Sequence, residues 1–440
     1  MLDSKALTKI QSIILITIIA VAALGGGVAY ILLIPGEEQS SEIIKIGVCA
    51  DIDALHGKSA YQGVVLATEQ INNEGGILGK KIEVIAEDSD GNSLAQDITK
   101  GANALTKLLT FHKVDYVLSS DGNYHLAYQD IVAEHKKILL GFGSISNEIT
   151  QRIEDDYQKY KYFFRTSPNA THAIFGSADC INALREYSGF NKVALLFEAI
   201  PTIADFMPVL ANFLGDVHGF EIVYQSTFPT GTFDFSSYLT AIRSSGAEIL
   251  CPWIVSYDGV VLVKDWFEGQ FPFVLWGLNS FLADPDGWEV TEGRCEYTTN
   301  TGFPTVTGYP LTSETIPFRD AYIERWKEVP NTMASYAYDT LRFILFDALE
   351  RAGTTETEAV IAALEEIEVE TSLTRNFVFT PSHDVLGGEN INNPDEDLMV
   401  VMLFQWQNEQ QLPMYPKKIK EETGASYMFP DWSGPWDDLD

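Results

Sequence analysis

The sequence predicts an α/β protein built on parallel β-sheets. Short apolar runs alternate with amphipathic stretches from Ile43 onward, and strands that alternate with helices in this way are typical of βαβ units. The runs are continuously apolar, as is expected for strands that a parallel sheet buries on both faces. The chain has 440 residues, enough for roughly two or three domains.

The predicted strands follow one another along the chain, with a helical segment between successive strands. They are the runs IIKIGVCA (43–50), KIEVIAED (81–88), DYVLSS (115–120), KKILLGFG (136–143), NKVALLFE (191–198), AEILCPWIV (247–255) and FVLWGL (273–278). The spacing of apolar residues predicts helices in YQGVVLATEQINNEG (61–75) and in the stretch 94–109.

Composition and missing motifs exclude several classes of function. The chain carries 62 acidic and 29 basic residues, a formal charge of −33, and so acidic a surface disfavours nucleic-acid binding. Its four cysteines and seven histidines form no CxxC or HExxH motif, which argues against a metal centre; whether Cys180 and Cys295 pair stays open. No G-x-G-x-x-G, P-loop or G-x-S-x-G motif occurs, so we expect no cofactor and no enzymatic activity.

The amino terminus predicts a membrane anchor. No charged residue occurs from Ile13 to Ile34, and a helix of that length spans roughly 33 Å, enough for a bilayer core. Lys5 and Lys9 precede the run and the stalk PGEEQSSE (35–42) follows it. The positive-inside rule therefore leaves residues 1–12 in the cytoplasm and the globular part outside the cell. A cleaved secretory signal is the alternative, with the same topology.

Three blocks of sequence carry a family resemblance. They are EQINNEGGILGKKIEVIAEDSDGN (69–92), DFSSYLTAIRSSGAEIL (234–250) and SYAYDTLRFILFDALERAG (335–353). In this order they resemble the substrate-binding proteins of ABC importers with the type 1 periplasmic binding fold. More narrowly, the chain resembles the branched-chain amino acid (Leu/Ile/Val) binding branch, over roughly residues 43–410.

The resemblance implies two Rossmann-like lobes joined by three crossovers, with a ligand cleft between them. Lobe 1 is expected at residues 43–164 plus 303–372, and lobe 2 at 165–302 plus 373–440. The implied function is capture of a small polar solute, an amino acid or a related amide or carboxylate, by hinge closure. The implied partners are an ABC permease and an ATPase. A ligand-sensing receptor ectodomain of the same fold is the alternative, and a short cytoplasmic end argues against it.

In lobe 1 the resemblance places candidate ligand residues where strands end, the usual ligand position in open α/β sheets. The candidates are His56 after the first strand, Ser120, Asp121, Gly122 and Asn123 after DYVLSS, and Gly143, Ser144 and Ser146 after KKILLGFG. The hydroxyls and the N–H groups of the glycine-containing loops suit a carboxylate, although Asp121 would repel one. Each has an ordinary alternative: SDGN suits a turn, Ser146 or Asn147 suits a helix N-cap, and His56 suits a solvated loop position.

In lobe 2 the candidates are Thr202, Tyr257, Asp258 and Asn279. Amino-acid binders of the family usually carry a glutamate at the position of Asn279, and it pairs with the α-ammonium of the ligand. A neutral amide cannot neutralise a buried ammonium. Either Asp258 or Asp121 takes that role, or the ligand is not a zwitterionic amino acid.

Overall fold

The structure is a computed structural model that describes residues 43–90, 98–302, 304–387, 399 and 402–439. The predicted cytoplasmic end (1–12), anchor or signal (13–34) and stalk (35–42) lie outside these residues. Among the helices that are described, none is both long enough and apolar enough to cross a membrane.

The first sheet has five parallel strands in the order β2-β1-β3-β4-β5. Its central strand β1 pairs with β2 on one side and with β3 on the other, so Ile46 lies beside Val84 and Tyr116. The strands are β1 (Ile44–Ala50), β2 (Ile82–Asp88), β3 (Tyr116–Ser119), β4 (Ile138–Gly141) and β5 (Phe163–Arg165). Burial of β3, β4 and β5 at every residue explains their uninterrupted apolar sequences.

The second sheet has seven strands in the order β14-β13-β10-β9-β8-β6-β7. Those from β6 to β10 are parallel, whereas β13 and β14 add an antiparallel pair beside β10. They are β6 (Lys192–Glu198), β7 (Glu221–Phe228), β8 (Ile249–Ile254), β9 (Val274–Asn279), β10 (Thr299–Gly302), β13 (Met402–Gln407) and β14 (Gln410–Tyr415). A small antiparallel pair, β11 (Glu368–Val369) and β12 (Phe377–Val378), stands apart.

Helices connect these strands. In chain order they are α1 (Leu55–Glu74), α2 (Ile98–Lys107), α3 (His125–His135), α4 (Glu148–Asp155), α5 (Tyr157–Tyr160), α6 (Ala170–Ser188), α7 (Pro201–Ala204), α8 (Met207–Asn212), α9 (Ser236–Ser244), α10 (Asp258–Glu268), α11 (Ser280–Ala283), α12 (Gly287–Val290), α13 (Pro304–Thr307), α14 (Thr315–Trp326), α15 (Thr332–Asp339), α16 (Phe346–Ala352), α17 (Thr357–Glu365) and α18 (Lys417–Thr423). Short π-helical turns continue α2, α8 and α15 at Leu108–His112, Phe213–Val217 and Thr340–Leu345.

Two large hydrophobic cores confirm a two-lobed α/β architecture with parallel sheets. One core surrounds the first sheet and includes apolar side chains from α14 to α17, such as Phe318 and Leu364. The other surrounds the second sheet and includes apolar residues of β13, β14 and the C-terminal segment. The chain therefore leaves the first sheet after β5, leaves the second after β10, and returns to it at β13.

The last change of lobe lies further along the chain than the expected boundary between residues 372 and 373. Leu373, Phe377, Phe379 and Val385 are buried in the first core. The sequence hides this because the segment contains no long helix or strand, and only its packing partners show to which lobe it belongs. The exact residues at which the lobes divide stay a prediction.

Candidate solute-binding cleft

Loops at the carboxyl ends of neighbouring strands carry the predicted first-lobe residues. The strands β1, β3 and β4 are adjacent in the sheet, so the loops that follow them lie at one edge. His56 lies in the first turn of α1, residues 120–123 follow β3, and residues 143–146 follow β4. The topology thus brings these candidates together, although ligand contact by each of them stays a prediction.

The loops after β3 and β4 touch through their backbones. A Cβ atom built on Gly122 would lie 2.4 Å from the carbonyl oxygen of Gly143 and 2.8 Å from the backbone nitrogen of Ser144. Gly143 itself has a φ of 96°, a conformation that side chains rarely tolerate. Both glycines are therefore required for the two loops to form one continuous surface.

Serine hydroxyls line these two loops. Ser120 and Ser144 are buried, and the Oγ atom of Ser120 has no hydrogen-bond partner among the described residues. The Oγ atom of Ser146 accepts a bond of 3.3 Å from the backbone nitrogen of Glu148, the first residue of α4. The N-cap of α4 is Asn147, which makes no side-chain cap bond, so Ser146 bonds to the helix start from the residue before the cap. Ser120 keeps unused hydrogen-bonding capacity.

Asp121 turns into the first lobe. Its side chain is 1% exposed, and the hydroxyl of Tyr128 donates to its Oδ2 at 2.9 Å. The thiol of Cys49 donates in turn to the Tyr128 oxygen at 3.4 Å. Burial raises the pKa of Asp121 to about 7, although hydrogen bonds lower it in part. The carboxyl group therefore belongs to a buried polar cluster beneath the loop. In that position, and with a raised pKa, it repels a ligand carboxylate less than an exposed, charged aspartate would.

His56 makes a contact that joins the two lobes. Its Nε2 atom lies 3.4 Å from Oδ2 of Asp284, which follows α11 in the second lobe. Burial alone would lower the pKa of His56, but the hydrogen bond and charge of Asp284, with Asp286 nearby, raise it above its usual value. His56 is therefore partnered across the cleft rather than freely solvated.

Carboxylates at the strand ends of the second lobe hold loops in place. Glu198 is fully buried and accepts hydrogen bonds from the Thr230 hydroxyl at 2.5 Å and from the backbone nitrogens of Val255 and Ser256 at 3.0 and 3.1 Å. These bonds fix the segment that follows β8. Both carboxylate oxygens of Glu198 thus have partners among the described residues, which gives Glu198 a structural role.

Asp258 also has partners within its own lobe. Its Oδ2 atom accepts from the backbone nitrogens of Gly231 and Thr232 at 2.7 and 3.0 Å. One carboxylate oxygen thus organises the loop after β7. The predicted role of Asp258 in binding an ammonium group stays a prediction, and it would have to use the other oxygen.

Tyr257 and Asn279 differ in accessibility. Tyr257 is 53% exposed and meets Phe281 edge to face, with ring centroids 5.5 Å apart; its role as a flat wall for the ligand stays a prediction. Asn279 is 2% exposed and packs so closely on Gly259 that a Cβ there would lie 2.4 Å from its Oδ1. Neither polar atom of its amide has a hydrogen-bond partner among the described residues. Thr202 lies on α7, and its side chain is outside the description.

Sequence reasoning missed two residues next to this cleft. Arg165 at the end of β5 is fully buried and forms an ion pair with Asp384. The available signal was the single arginine in the apolar run YFFR (162–165), since an arginine is rarely buried without a partner. Asp384 gave no comparable signal, because its partner is distant in sequence.

The described residues contain no cluster of three or more histidine, cysteine or acidic side chains that could hold a metal ion. Cys49, Cys180, Cys251 and Cys295 are buried free thiols, so Cys180 and Cys295 do not pair. Burial raises the pKa of all four, which makes them poor nucleophiles.

Comparisons with known proteins support the same architecture. The chain is 23% identical over 403 residues to Leu/Ile/Val-binding protein homolog 7 of Brucella suis, which covers 87% of this chain and 94% of that protein. A putative branched-chain amino acid ABC transporter from Silicibacter pomeroyi superposes with a TM-score of 0.76 at 16% identity, over 89% of this chain and 100% of the other.

A solute-binding protein of an ABC transporter from R. palustris, in complex with benzoate, superposes with a TM-score of 0.68 at 15% identity, over 85% of this chain and 96% of the other. The profile of the periplasmic binding protein family matches residues 43–388. Its members are binding proteins, which confirms the expectation that this chain is not an enzyme. The chain belongs to the periplasmic binding protein family.

Proposed function

We propose that the chain is the extracellular solute-binding component of an ABC importer. The observation that carries the proposal is the continuous surface formed by the loops after β3 and β4, with His56 beside it in contact with Asp284 of the second lobe. Residues at strand ends of both lobes thus meet at one place, which is where a two-lobed α/β protein captures a ligand. Names of relatives that refer to amino-acid binding and to ABC transport support the same function.

Capture proceeds by closure of the two lobes on the solute. Donors at the first-lobe loops, such as the unpartnered Ser120 hydroxyl, meet the solute first, and Tyr257 covers it from the second lobe. Closure removes water from the solute and strengthens each polar contact. The closed form presents both lobes to a permease, and a separate ATPase supplies the energy of transport.

The solute is a small polar molecule that carries a carboxylate. The relative is named as a Leu/Ile/Val-binding protein and the R. palustris structure holds benzoate, and the two kinds of ligand share only a carboxylate on an apolar body. Hydroxyl and backbone donors at the first-lobe loops suit that group. A neutral, buried Asn279 and an Asp258 already bonded to two backbone nitrogens favour ligands without an ammonium group.

Residues 13–34 anchor this component in the cytoplasmic membrane with the globular part outside. The uncharged run between Lys9 and Glu37 and the lysines that precede it support this topology. Mass determination of the chain from membranes distinguishes an intact anchor from a cleaved signal, since cleavage removes the amino-terminal residues.

Thermal unfolding of the full chain with a panel of ligands tests the function. The panel contains leucine, isoleucine, benzoate, 4-hydroxybenzoate and the corresponding amides. A ligand at 100 times its Kd adds about 2.7 kcal/mol to the free energy of unfolding, which raises the melting temperature measurably. Ser120→Ala is expected to weaken binding, whereas Ser237→Ala, on an exposed turn of α9, is the matched control.

Each result of the panel has a distinct meaning. A shift with benzoate but not with leucine supports a carboxylate binder without an ammonium site. A shift with leucine supports solute capture but contradicts the assignment made from Asn279 and Asp258. Absence of any shift over a broad panel contradicts solute capture and favours a sensory ectodomain.

A further inference from the structure

The guanidinium of Arg165 has partners on two sides. Its Nε and Nη2 atoms donate to the two carboxylate oxygens of Asp384 at 2.8 and 2.6 Å. Its Nη1 atom donates to the carbonyl oxygen of Ser146 at 2.6 Å and, at 3.4 Å, to that of Ser144. The rigid fork of N–H groups allows arginine to make both sets of bonds at once. One buried side chain therefore joins the loop after β4 to Asp384.

The rest of this loop is bonded to the crossover that follows β5. The Ser167 hydroxyl accepts from the backbone nitrogen of Gly143 at 3.1 Å. The backbone nitrogen of Ala170, the first residue of α6, donates to the carbonyl oxygen of Ile145 at 2.8 Å. Together with the bonds from Arg165, these contacts turn the carbonyl groups of residues 144–146 toward the crossover.

The network continues into the second lobe. The amide nitrogen of Asn169 donates to Oδ2 of Asp384 at 2.7 Å. The side-chain oxygen of the same residue accepts from the backbone nitrogen of His172 at 2.8 Å and so caps α6. Asp384 is thus shared between the arginine that holds the loop and the asparagine that begins a second-lobe helix.

We propose that Arg165 is a positioning residue for solute capture, which sets the conformation of residues 143–146 and couples it to the crossover on which the lobes close. This inference rests on the function proposed above. A buried charge cannot lose its partner without a large penalty, so the ion pair keeps the loop attached when the crossover backbone rotates. A solute that binds at residues 143–146 therefore changes the position of the crossover that follows β5.

Hydrogen exchange of the full chain without ligand tests the coupling. We expect Arg165→Lys to speed exchange in residues 143–146 and at Ala170 by about tenfold or more, because lysine lacks the fork that makes both sets of bonds. Strands β3 and β6 are expected to keep their protection. Arg152→Lys is the matched control, since Arg152 on α4 is partly exposed and its bonds to Leu126 and Glu148 do not involve the loop.

A second measurement connects the coupling to binding. For whichever panel compound binds, Arg165→Lys is expected to weaken the affinity about tenfold or more, and Arg152→Lys to leave it unchanged. If the arginine variant fails to fold, Ser167→Ala replaces it, because this change removes the bond to Gly143 and leaves the ion pair of Arg165 intact. That variant is expected to speed exchange at Gly143 alone and to weaken binding less.

Three outcomes distinguish a positioning role of Arg165 from a purely structural role and from failure of the proposed solute capture. Faster exchange confined to the loop and to Ala170, with weaker binding, supports a positioning role. An equal rise in exchange throughout the first lobe, or an unchanged affinity, overturns it and leaves Arg165 as a structural residue only. If no compound binds the unaltered chain, solute capture fails, and loop-confined exchange still decides whether Arg165 couples the loop to the crossover.

Discussion

Replacement of Asp121 by asparagine should change how the stability of the protein depends on pH. The Asp121 carboxyl group is almost fully buried, and the hydroxyl of Tyr128 donates a hydrogen bond to its Oδ2. Burial raises its pKa to about 7 in the folded chain, against about 3.9 for an unfolded aspartate. The folded state therefore binds this proton more tightly than the unfolded state does.

The direction of the effect follows from proton linkage. A carboxyl group with a raised folded pKa contributes stability that is complete below the unfolded pKa of about 3.9 and is lost as the pH rises through about 7. Between about pH 5.5 and about pH 8, these two pKa values give a loss of about 2 kcal/mol from Asp121 alone. An asparagine does not titrate, so this part of the loss should disappear.

Urea unfolding at about pH 5.5 and about pH 8 measures the difference. We expect the free energy of unfolding of Asp121→Asn to fall by about 2 kcal/mol less than that of the unaltered chain over this interval. Burial also raises the pKa of Asp339 to about 7, so some pH dependence should remain in the variant. Asp205→Asn, at an exposed position, is the control. An Asp121→Asn variant with the full original pH dependence would show that this carboxyl group is not the source of the loss.

Three further changes test other parts of the cleft. Gly122→Ala would place a Cβ 2.4 Å from the Gly143 oxygen, so urea unfolding should show a loss of about 1–3 kcal/mol, as is typical of overpacking. A loss below about 0.5 kcal/mol would mean that the loops separate easily. Glu198→Ala leaves the backbone N–H groups of Val255 and Ser256 without their buried acceptor, and we expect it to cost about 2–3 kcal/mol; an unchanged melting temperature would contradict these contacts. NMR titration should find the pKa of His56 above 6.5, and Asp284→Asn should lower it. The stabilising effect of this pair is present below pH 6.5 and is lost as the pH rises through the raised pKa. If Asp284→Asn leaves the pKa of His56 unchanged, the two lobes do not meet at this contact in solution.

The order of the strands along the chain could be predicted because the burial of a strand is visible in its own local sequence. A strand covered on both faces must be apolar at successive residues, and β6 and β8 show this directly in their sequences KVALLFE and ILCPWI. The glycine-rich connection after α1 and the strand β2 that follows it were visible for the same local reason. Their positions along the chain needed no knowledge of tertiary contacts.

The roles of individual cleft residues depend on partners that the sequence does not place. Asp121 and Asp258 both follow strands, yet one turns beneath its loop toward Tyr128 and the other bonds to the backbone of residues 231–232. Neither orientation follows from residue type or spacing, because it is decided by groups on other elements. The pairing of Arg165 with Asp384 is hidden for the same reason.

The edge strands of the second sheet determine the order in which the molecule can be completed. β13 and β14 cover the flank of β10, but the chain between β10 and β13 contributes its helices to the other core. The first sheet uses only the chain up to Arg165, whereas the second remains unfinished until Tyr415 has been synthesised. Pairing between such distant segments is slow. Until β13 pairs with β10, the open edge of β10 can associate with other chains. A nascent chain that stalls after Gly302 would thus expose β10 to aggregation, so folding of the second lobe depends on residues 402–415.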